Sequence, residues 1–160
     1  MIETDINMRR VVDALRTLGE SPDLLVVEAG THTAEMAAAA AGCELGQIIK
    51  TLVAYVAGSP HLLLVAGDRR LDDRLVAALF GVGRKQVKLA NAEQVLELTG
   101  YPVGGVSPFG TPAKLDVLVD ESLARFDTVW IAGGTPSAIL PIALDALVRH
   151  TGGRFAAVAG

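Results

Sequence analysis

The clearest pattern in the chain is a pair of apolar arms between Gln47 and Gly67, QIIKTLVAYVAGSPHLLLVAG. Both arms are rich in Val, Leu, Ile and Tyr, and turn residues bound them. Two such runs on either side of a short turn are typical of a β-hairpin. The pattern therefore predicts two paired strands joined by a tight turn at Gly58-Ser59-Pro60.

Shorter patterns flank the hairpin on both sides. Apolar residues at helical spacing, cap residues such as Thr33 and Asn91, and terminal glycines predict helices. Short apolar runs between turn residues predict strands. The predicted helices span residues 6–18, 33–41, 71–80, 91–99 and 141–150, and the predicted strands outside the hairpin span 24–28, 86–89, 116–119, 128–132 and 154–158.

The order of these elements predicts the fold class. A hairpin and an irregular alternation of helices and strands favour a mixed sheet with flanking helices, an α+β fold, over a strict βαβ repeat. The length of 160 residues suits one domain over residues 1–160, and the sequence contains no internal duplication or linker. The apolar fraction of 51% is sufficient for a full core.

One cation interrupts the first hairpin arm. Lys50 is the only Lys or Arg between Arg16 and Arg69, and it stands within an apolar run. A charged amine in such a run must reach water, bind an anion or shift its pKa. From the residues alone, an edge-strand lysine that reaches solvent and blocks aggregation is favoured over a functional lysine.

Composition excludes several classes of protein. The single cysteine, Cys43, rules out an internal disulfide, and three separated histidines make a zinc site improbable, so neither a metal nor a cofactor is expected. No apolar run approaches the roughly 20 residues of a membrane helix, and the polar N-terminus does not resemble a signal peptide. These features predict a cytoplasmic protein with no membrane partner.

Charge is distributed unevenly along the chain. The net charge of −4 argues against general binding to duplex DNA. Residues 68–88 nevertheless hold six of the 14 basic residues, together with three aspartates. This segment could contact phosphates, or it could be a solvated helix with local ion pairs.

Two glycine-rich loops stand out. One runs from Tyr101 to Gly110, and the other from Trp130 to Pro136; each combines a Gly-Gly pair with a hydroxyl residue and a proline. Glycine allows a ligand to approach the backbone, and successive N–H groups can bind an anion or a polarised carbonyl. Ordinary turns would also explain either loop. Neither loop has the spacing of a nucleotide phosphate site.

Taken together, five segments resemble the YbaK/ProX family, free-standing relatives of the editing domain in bacterial prolyl-tRNA synthetases. The resemblance runs from about residue 30 onwards. It rests on His32-Thr33-Ala34-Glu35, Gln47-Ile48-Ile49-Lys50-Thr51-Leu52-Val53, Gly67-Asp68-Arg69-Arg70-Leu71-Asp72, Gly100-Tyr101-Pro102-Val103-Gly104-Gly105-Val106-Ser107-Pro108-Phe109 and Gly133-Gly134.

The resemblance implies a curved, partly barrel-like mixed sheet and a trans-editing hydrolase. Such an enzyme deacylates mischarged aminoacyl-tRNA, here tRNA-Pro carrying a small wrong amino acid such as Ala or Cys. The implied partners are the aminoacylated acceptor end of tRNA and, as a further candidate, prolyl-tRNA synthetase. The alternative is a non-catalytic module that binds aminoacyl-tRNA or a synthetase.

The resemblance also assigns roles to residues. Lys50 becomes the catalytic candidate, acting with a substrate-assisted water. His32 could act as a base or order its turn, and Ser107 is expected to contact substrate or its own backbone rather than to attack. The expected substrate-binding residues are His32, Thr51, Gly104, Gly105, Ser107, Pro108, Gly133, Gly134 and Thr135, and the expected tRNA-binding residues are Arg69, Arg70, Arg74, Arg84 and Lys85.

Overall fold

The computed structural model describes residues 5–27 and 33–160. Five α-helices and eight β-strands lie within this part of the chain. The helices are α1 (Ile6–Thr17), α2 (Ala34–Ala41), α3 (Asp73–Phe80), α4 (Ala92–Thr99) and α5 (Leu144–Thr151); the strands are β1 (Leu25–Val26), β2 (Ile49–Val56), β3 (Ser59–Ala66), β4 (Val87–Leu89), β5 (Asp116–Asp120), β6 (Thr128–Ala132), β7 (Ala138–Ala143) and β8 (Arg154–Ala156). No helix among these is long and apolar enough to cross a membrane.

The predicted hairpin is present as β2 and β3, but its turn lies elsewhere. The connection is the pair Ala57-Gly58, with φ of 49° and 86°. Positive φ at both positions matches the right-handed twist of the paired strands. Ser59 and Pro60 belong to β3, where Pro60 lies opposite Tyr55. The prediction of a Gly58-Ser59-Pro60 turn was therefore wrong: the turn begins one residue earlier and ends at Gly58.

The strands form two sheets. The larger has the order β4-β2-β3-β5-β8, with β2 antiparallel to β3 and β4, and with β5 parallel to both β3 and β8. The smaller has the order β1-β7-β6 and is antiparallel. A single parallel bridge between Ile48 and Trp130 links them. The α+β class is confirmed, but the expected curved sheet is two linked sheets that do not close into a barrel.

One strand was not expected from sequence. The apolar run Ala138–Ala143 forms β7, with Pro141 opposite Trp130, whereas a helix was predicted to begin at Pro141. β1 is only two residues long, so one edge of β7 is open at Pro141, and a strand tolerates proline at an open edge. Helix α5 begins three residues later, at Leu144, and contains most of the predicted helix.

Both faces of the larger sheet are covered. Ile49 and Val53 of β2 point into the main core, with Val11 of α1, Val95 of α4 and Leu147 of α5. Residues on the opposite face of the hairpin, including Ala54 and Val65, pack against Val76 of α3. In a third cluster, α2 packs against β7 and Ile48. Alternation along β2 explains how one strand serves both cores.

Candidate active site

A cavity of about 390 Å³ opens beside the first half of β2. Strand β4 pairs with β2 only from Ala54 to Val56, so residues 49–53 keep one edge free of a neighbouring strand. The remaining walls come from α2, α4, β7 and the two glycine-rich loops. The cavity therefore lies where the larger sheet stops pairing and the smaller sheet begins.

Lys50 is the single charged side chain among the described residues that line this cavity. Its ammonium donates a 2.5 Å hydrogen bond to the carbonyl oxygen of Arg69. Burial lowers the pKa of Lys50, and the nearby Arg70 guanidinium lowers it further, while the carboxylates of Asp68 and Glu35 oppose this change. Lys50 is thus a positioned, partly desolvated cation.

Thr51 also lines the cavity, but its hydroxyl oxygen is shielded from solvent. Its Oγ1 is buried and has no hydrogen-bond partner among the described residues. A buried polar atom without a partner is uncommon in proteins and requires an explanation. A group bound in the cavity would reach this oxygen only if the Thr51 side chain turned toward it.

The segment that presents the Arg69 carbonyl is held from two sides. The Asp68 carboxylate makes a bidentate ion pair with Arg125, at 2.9 and 3.0 Å, and this hydrogen bonding lowers the pKa of Asp68. On the other side, Arg70 exchanges two backbone hydrogen bonds with Gly160, each 2.9 Å. The carbonyl that orients Lys50 is therefore part of a fixed loop.

The buried carboxylate of Asp120 holds the C-terminal segment, residues 158–160, which pairs with that loop. One oxygen accepts hydrogen bonds from the backbone N–H groups of Val158 and Ala159, each 3.0 Å. The other accepts from the N–H and hydroxyl of Ser122. Asp120 is 1% exposed, so these hydrogen bonds satisfy a carboxylate that water does not reach.

The two glycine-rich loops touch one another. A Cβ on Gly105 would lie 2.7 Å from the Cα of Thr135, closer than atoms can pack. Gly104, with φ of 85°, faces Pro136 across the same contact. The N–H of Gly105 donates to Pro102 and that of Gly133 donates to Ala138, so both are occupied within turns. Of the four glycines in the two Gly-Gly pairs, Gly104 lines the cavity and the other three do not.

Helix α1 packs against both glycine-rich loops. Gly134 packs on the backbone of Asn7, where a Cβ would come within 2.6 Å of the carbonyl oxygen. Arg10 donates to the carbonyl of Gly100 at 3.1 Å and lies over the ring of Tyr101. Tyr101 is fully buried and donates its hydroxyl to the Phe109 carbonyl at 2.5 Å. Burial is the main reason why the pKa of Tyr101 is raised to about 12.

Of the predicted site residues, the structure brings Lys50, Thr51 and Gly104 together in the cavity wall. The others lie behind it or beside it. Ser107 is fully buried and its Oγ accepts from the N–H of Phe109, while Thr135 accepts from Ser137. Gly105, Pro108, Gly133 and Gly134 shape the loops without lining the cavity. His32 lies outside the described residues.

The predicted tRNA-binding residues divide into two groups. Arg69 and Arg70 lie in the loop next to Lys50, and Arg69 also approaches Asp68 at 3.5 Å. Arg84 is paired with Asp73 at 3.0 Å. Arg74 and Lys85 are exposed near that pair. The basic segment is therefore not one continuous face.

Several wall residues were not expected from the sequence. They are apolar and come from elements far apart in the chain: Val27, Ala34, Ala37, Val95 and Ile139. No sequence signal separates such residues from ordinary core positions. Among the described residues, no group of three or more His, Cys, Asp or Glu side chains is arranged to hold a metal.

Comparison with known proteins identifies the class to which this fold and cavity belong. The family described as aminoacyl-tRNA editing domain matches residues 28–150, which is more than half of the chain. The chain therefore belongs to the aminoacyl-tRNA editing domain family, and the class of enzyme that this membership defines is an aminoacyl-tRNA deacylase.

Individual relatives support this assignment. A solved structure described as a candidate trans-editing enzyme for prolyl tRNA synthetase is 38% identical, with a TM-score of 0.91 and 98% of each chain covered. EbsC of Enterococcus faecalis, named as a candidate Cys-tRNA(Pro)/Cys-tRNA(Cys) deacylase, is 28% identical over 79% of this chain and 76% of its own length. The proline–tRNA ligase of Maridesulfovibrio salexigens is 38% identical over 68% of this chain, which spans only 18% of that ligase.

Proposed function

We propose that the protein acts in trans on tRNA-Pro that carries a small wrong amino acid, alanine or cysteine, and hydrolyses the ester to free amino acid and tRNA. The observation that carries this proposal is a largely apolar cavity with one oriented cation, Lys50, in its wall. An apolar cavity suits a small side chain, and the cation suits the charged end of a nucleic acid. We place this activity in the cytoplasm.

The need for such a hydrolase follows from the limits of recognition by size. A synthetase pocket gains only about 1–3 kcal/mol of discrimination for each methylene, so alanine cannot be strongly excluded from a proline site. A second hydrolytic site removes the product of that error. Prolyl-tRNA synthetase is accordingly our candidate source of the mischarged tRNA and our candidate partner.

In the proposed reaction, a water oxygen attacks the carbonyl carbon of the ester. The bond from that carbon to the ribose oxygen then breaks, and the ribose oxygen takes a proton. The ribose hydroxyl next to the ester assists by orienting the water or by relaying the water's proton to the departing ribose oxygen. The ester is already activated, so no covalent enzyme intermediate is required.

The protein contributes position and charge to this reaction. Lys50 anchors a phosphate of the terminal nucleotide or orients the ester, with its amine held at the Arg69 carbonyl. The N–H of Gly104 is our candidate for polarising the ester carbonyl, because Gly105 and Gly133 donate within their own turns. The Thr51 hydroxyl is our candidate partner for the amino group or carbonyl of the substrate.

Contacts with the tRNA are proposed for five cations. Arg69 and Arg70 adjoin the cavity and would meet the phosphates nearest the ester. Arg74, Arg84 and Lys85 lie further along the surface, and Arg84 is already paired with Asp73. We therefore expect substitution of Arg70 to weaken tRNA binding more than substitution of Arg84.

The experiment that tests the proposal is release of amino acid from a panel of mischarged tRNAs by catalytic amounts of protein. We expect alanyl- or cysteinyl-tRNA-Pro to be discharged faster than prolyl-tRNA-Pro, because the proline ring requires more room. Equal hydrolysis of small and prolyl esters would exclude size selection. Binding of charged tRNA without turnover would instead identify a non-catalytic module.

A further inference from the structure

A second depression lies outside the cavity, next to the hairpin turn. We call it the Tyr55 groove. Its walls are the turn itself and the side chains of Tyr55, Gln86, Lys88, Leu89 and Gln94. None of the residues that line the Tyr55 groove is acidic. Apart from Leu89, none of these residues lines the active-site cavity.

The side chains of the groove combine an aromatic ring, a cation and two amides. Tyr55 and Lys88 are direct partners in the β2–β4 register, so their side chains are neighbours on one face. Lys88 is exposed and makes no ion pair with any described residue. Gln94 uses its amide oxygen to cap helix α4 at Asn91, which leaves its NH₂ group for a ligand. A planar ring for stacking, a cation for phosphate and amides for base edges are the groups that bind single-stranded nucleotides.

The groove adjoins the active-site cavity. Leu89 lines both, and on helix α4 Val95 faces the cavity while its neighbour Gln94 faces the groove. Thr51 and Tyr55 lie on the same face of β2, about 13 Å apart along the strand. A chain whose last residue enters the cavity can therefore lay its preceding residues along the groove.

We propose that the Tyr55 groove binds the nucleotide that precedes the aminoacylated terminal adenosine of tRNA. The base stacks on the Tyr55 ring, the Lys88 ammonium contacts a phosphate, and the amides of Gln86 and Gln94 meet the edge of the base. This inference rests on the proposed function and adds to it the route by which the single-stranded acceptor end reaches the cavity.

The test compares three alanyl esters: one on adenosine alone, one on the trinucleotide cytidine-cytidine-adenosine and one on whole tRNA-Pro. The variants are Tyr55→Leu, which removes the ring, and Lys88→Gln, which removes the charge. Tyr55→Phe is the matched control that keeps the ring, and Lys114→Gln removes an exposed cation outside both sites. Thermal melting of every variant checks that it is folded, and the exposed Lys88 is replaced without any loss of packing.

We expect Tyr55→Leu to lower kcat/KM about tenfold on the trinucleotide and the tRNA, the size expected when one base loses its stacking partner. Lys88→Gln should lower kcat/KM on the same two esters, because it removes a phosphate contact. Hydrolysis of the adenosine ester should be unchanged, and both controls should behave as wild type. Undiminished hydrolysis of the longer esters, or an equal loss on all three, would overturn the proposal.

Direct binding separates failure of the groove from failure of the proposed function. If wild type hydrolyses none of the esters, the deacylase proposal fails, but the uncharged trinucleotide can still be titrated by calorimetry. Weaker binding by Tyr55→Leu and Lys88→Gln than by their controls would support the groove. The absence of trinucleotide binding, or equal binding by all variants, would overturn it whatever the turnover.

Discussion

The ammonium of Lys50 and the main-chain carbonyl of Arg69 are joined by a 2.5 Å hydrogen bond across 19 residues of sequence. Because the acceptor is a backbone atom, the side chain at position 69 can be changed without removing the contact. This geometry allows the charge of Lys50 and the charge of Arg69 to be tested separately.

Lys50→Ala should fold and lose most of its activity. We expect kcat/KM to fall about a hundredfold, the scale of losing one oriented electrostatic contact in an active site. Arg69→Ala is the matched control; it removes a neighbouring cation but keeps the carbonyl, and we expect a much smaller loss. Turnover and circular dichroism should be measured together, and full activity of Lys50→Ala would remove Lys50 from the mechanism.

The rate should decline on the alkaline side below the pH at which an ordinary lysine titrates. Burial and the nearby Arg70 lower the pKa of Lys50, so the charged form is lost as pH rises through that lowered value. The measurement is kcat/KM against pH, corrected for spontaneous ester hydrolysis. Lys50→Arg should move the decline to higher pH, because arginine keeps its charge. An alkaline limb that does not move in this variant would assign the titration to another group.

Gly105→Ala should lower both stability and activity. The added Cβ would lie 2.7 to 2.9 Å from the backbone of Thr135, so the two loops must separate. Overpacking of this kind costs about 1–3 kcal/mol in the free energy of unfolding.

Gly83→Ala is the matched control for this change. Position 83 has φ of −73° and no atom within 4 Å of the new Cβ. Gly83→Ala should leave the free energy of unfolding unchanged or raise it slightly. Chemical denaturation measures the free energy of unfolding of both variants. Equal values would show that the two loops can separate without loss of stability.

Tyr101→Phe should lower the free energy of unfolding by about 1–3 kcal/mol, because the buried carbonyl of Phe109 loses its donor. The same change at Tyr55, which is only half-buried, is the control.

In the folded protein the pKa of Tyr101 is raised to about 12. The unfolded chain therefore loses this proton first as pH rises, and stability falls between about pH 10 and 12. Tyr101→Phe should show a smaller alkaline loss of stability than wild type.

Asp120→Ala should be the most destabilising of these changes, by about 2–4 kcal/mol. It leaves the N–H groups of Val158 and Ala159 without their buried acceptor. Asp116→Ala, at the exposed start of the same strand, should have little effect. Because Ala159 pairs with the segment after Arg69, activity should fall with stability. Retained stability in Asp120→Ala would show that water replaces the carboxylate.

The fold class and most elements were predictable because they are encoded locally. Alternation along β2 and β3, helical spacing in α1, and the cap residues Thr33 and Asn91 all lie within a few residues of what they specify. Strand β7 was predicted wrongly, because its pairing with β6 is a tertiary contact and Pro141 suggested the start of a helix. The exact position of the hairpin turn also depended on Ala57 adopting a positive φ, which alanine rarely does.

The candidate site was predictable only in part. Lys50 stood out as a cation in an apolar run, and Gly104 as one of a glycine pair. The partner of Lys50 could not be predicted, since a backbone carbonyl leaves no signature in a sequence. The requirement for glycine at position 105 could not be predicted either. It arises from the close approach of Thr135, which lies in a loop thirty residues away in the chain. Whether His32, Ser107 and the remaining predicted residues act on substrate stays a prediction.

The β2–β3 hairpin has a consequence for how the protein folds. Lys50 lies near the start of β2, and the Arg69 carbonyl follows the end of β3, so their contact closes when the hairpin pairs. Hairpins form within about 1–10 μs, whereas pairing of β3 with β5 must wait for a much larger loop to close. Pairing of the hairpin therefore brings Lys50 close to residue 69 by a short loop closure. We expect the contacts that fix this loop, with Arg125 and Gly160, and the walls of the cavity to form later, because they join distant parts of the chain.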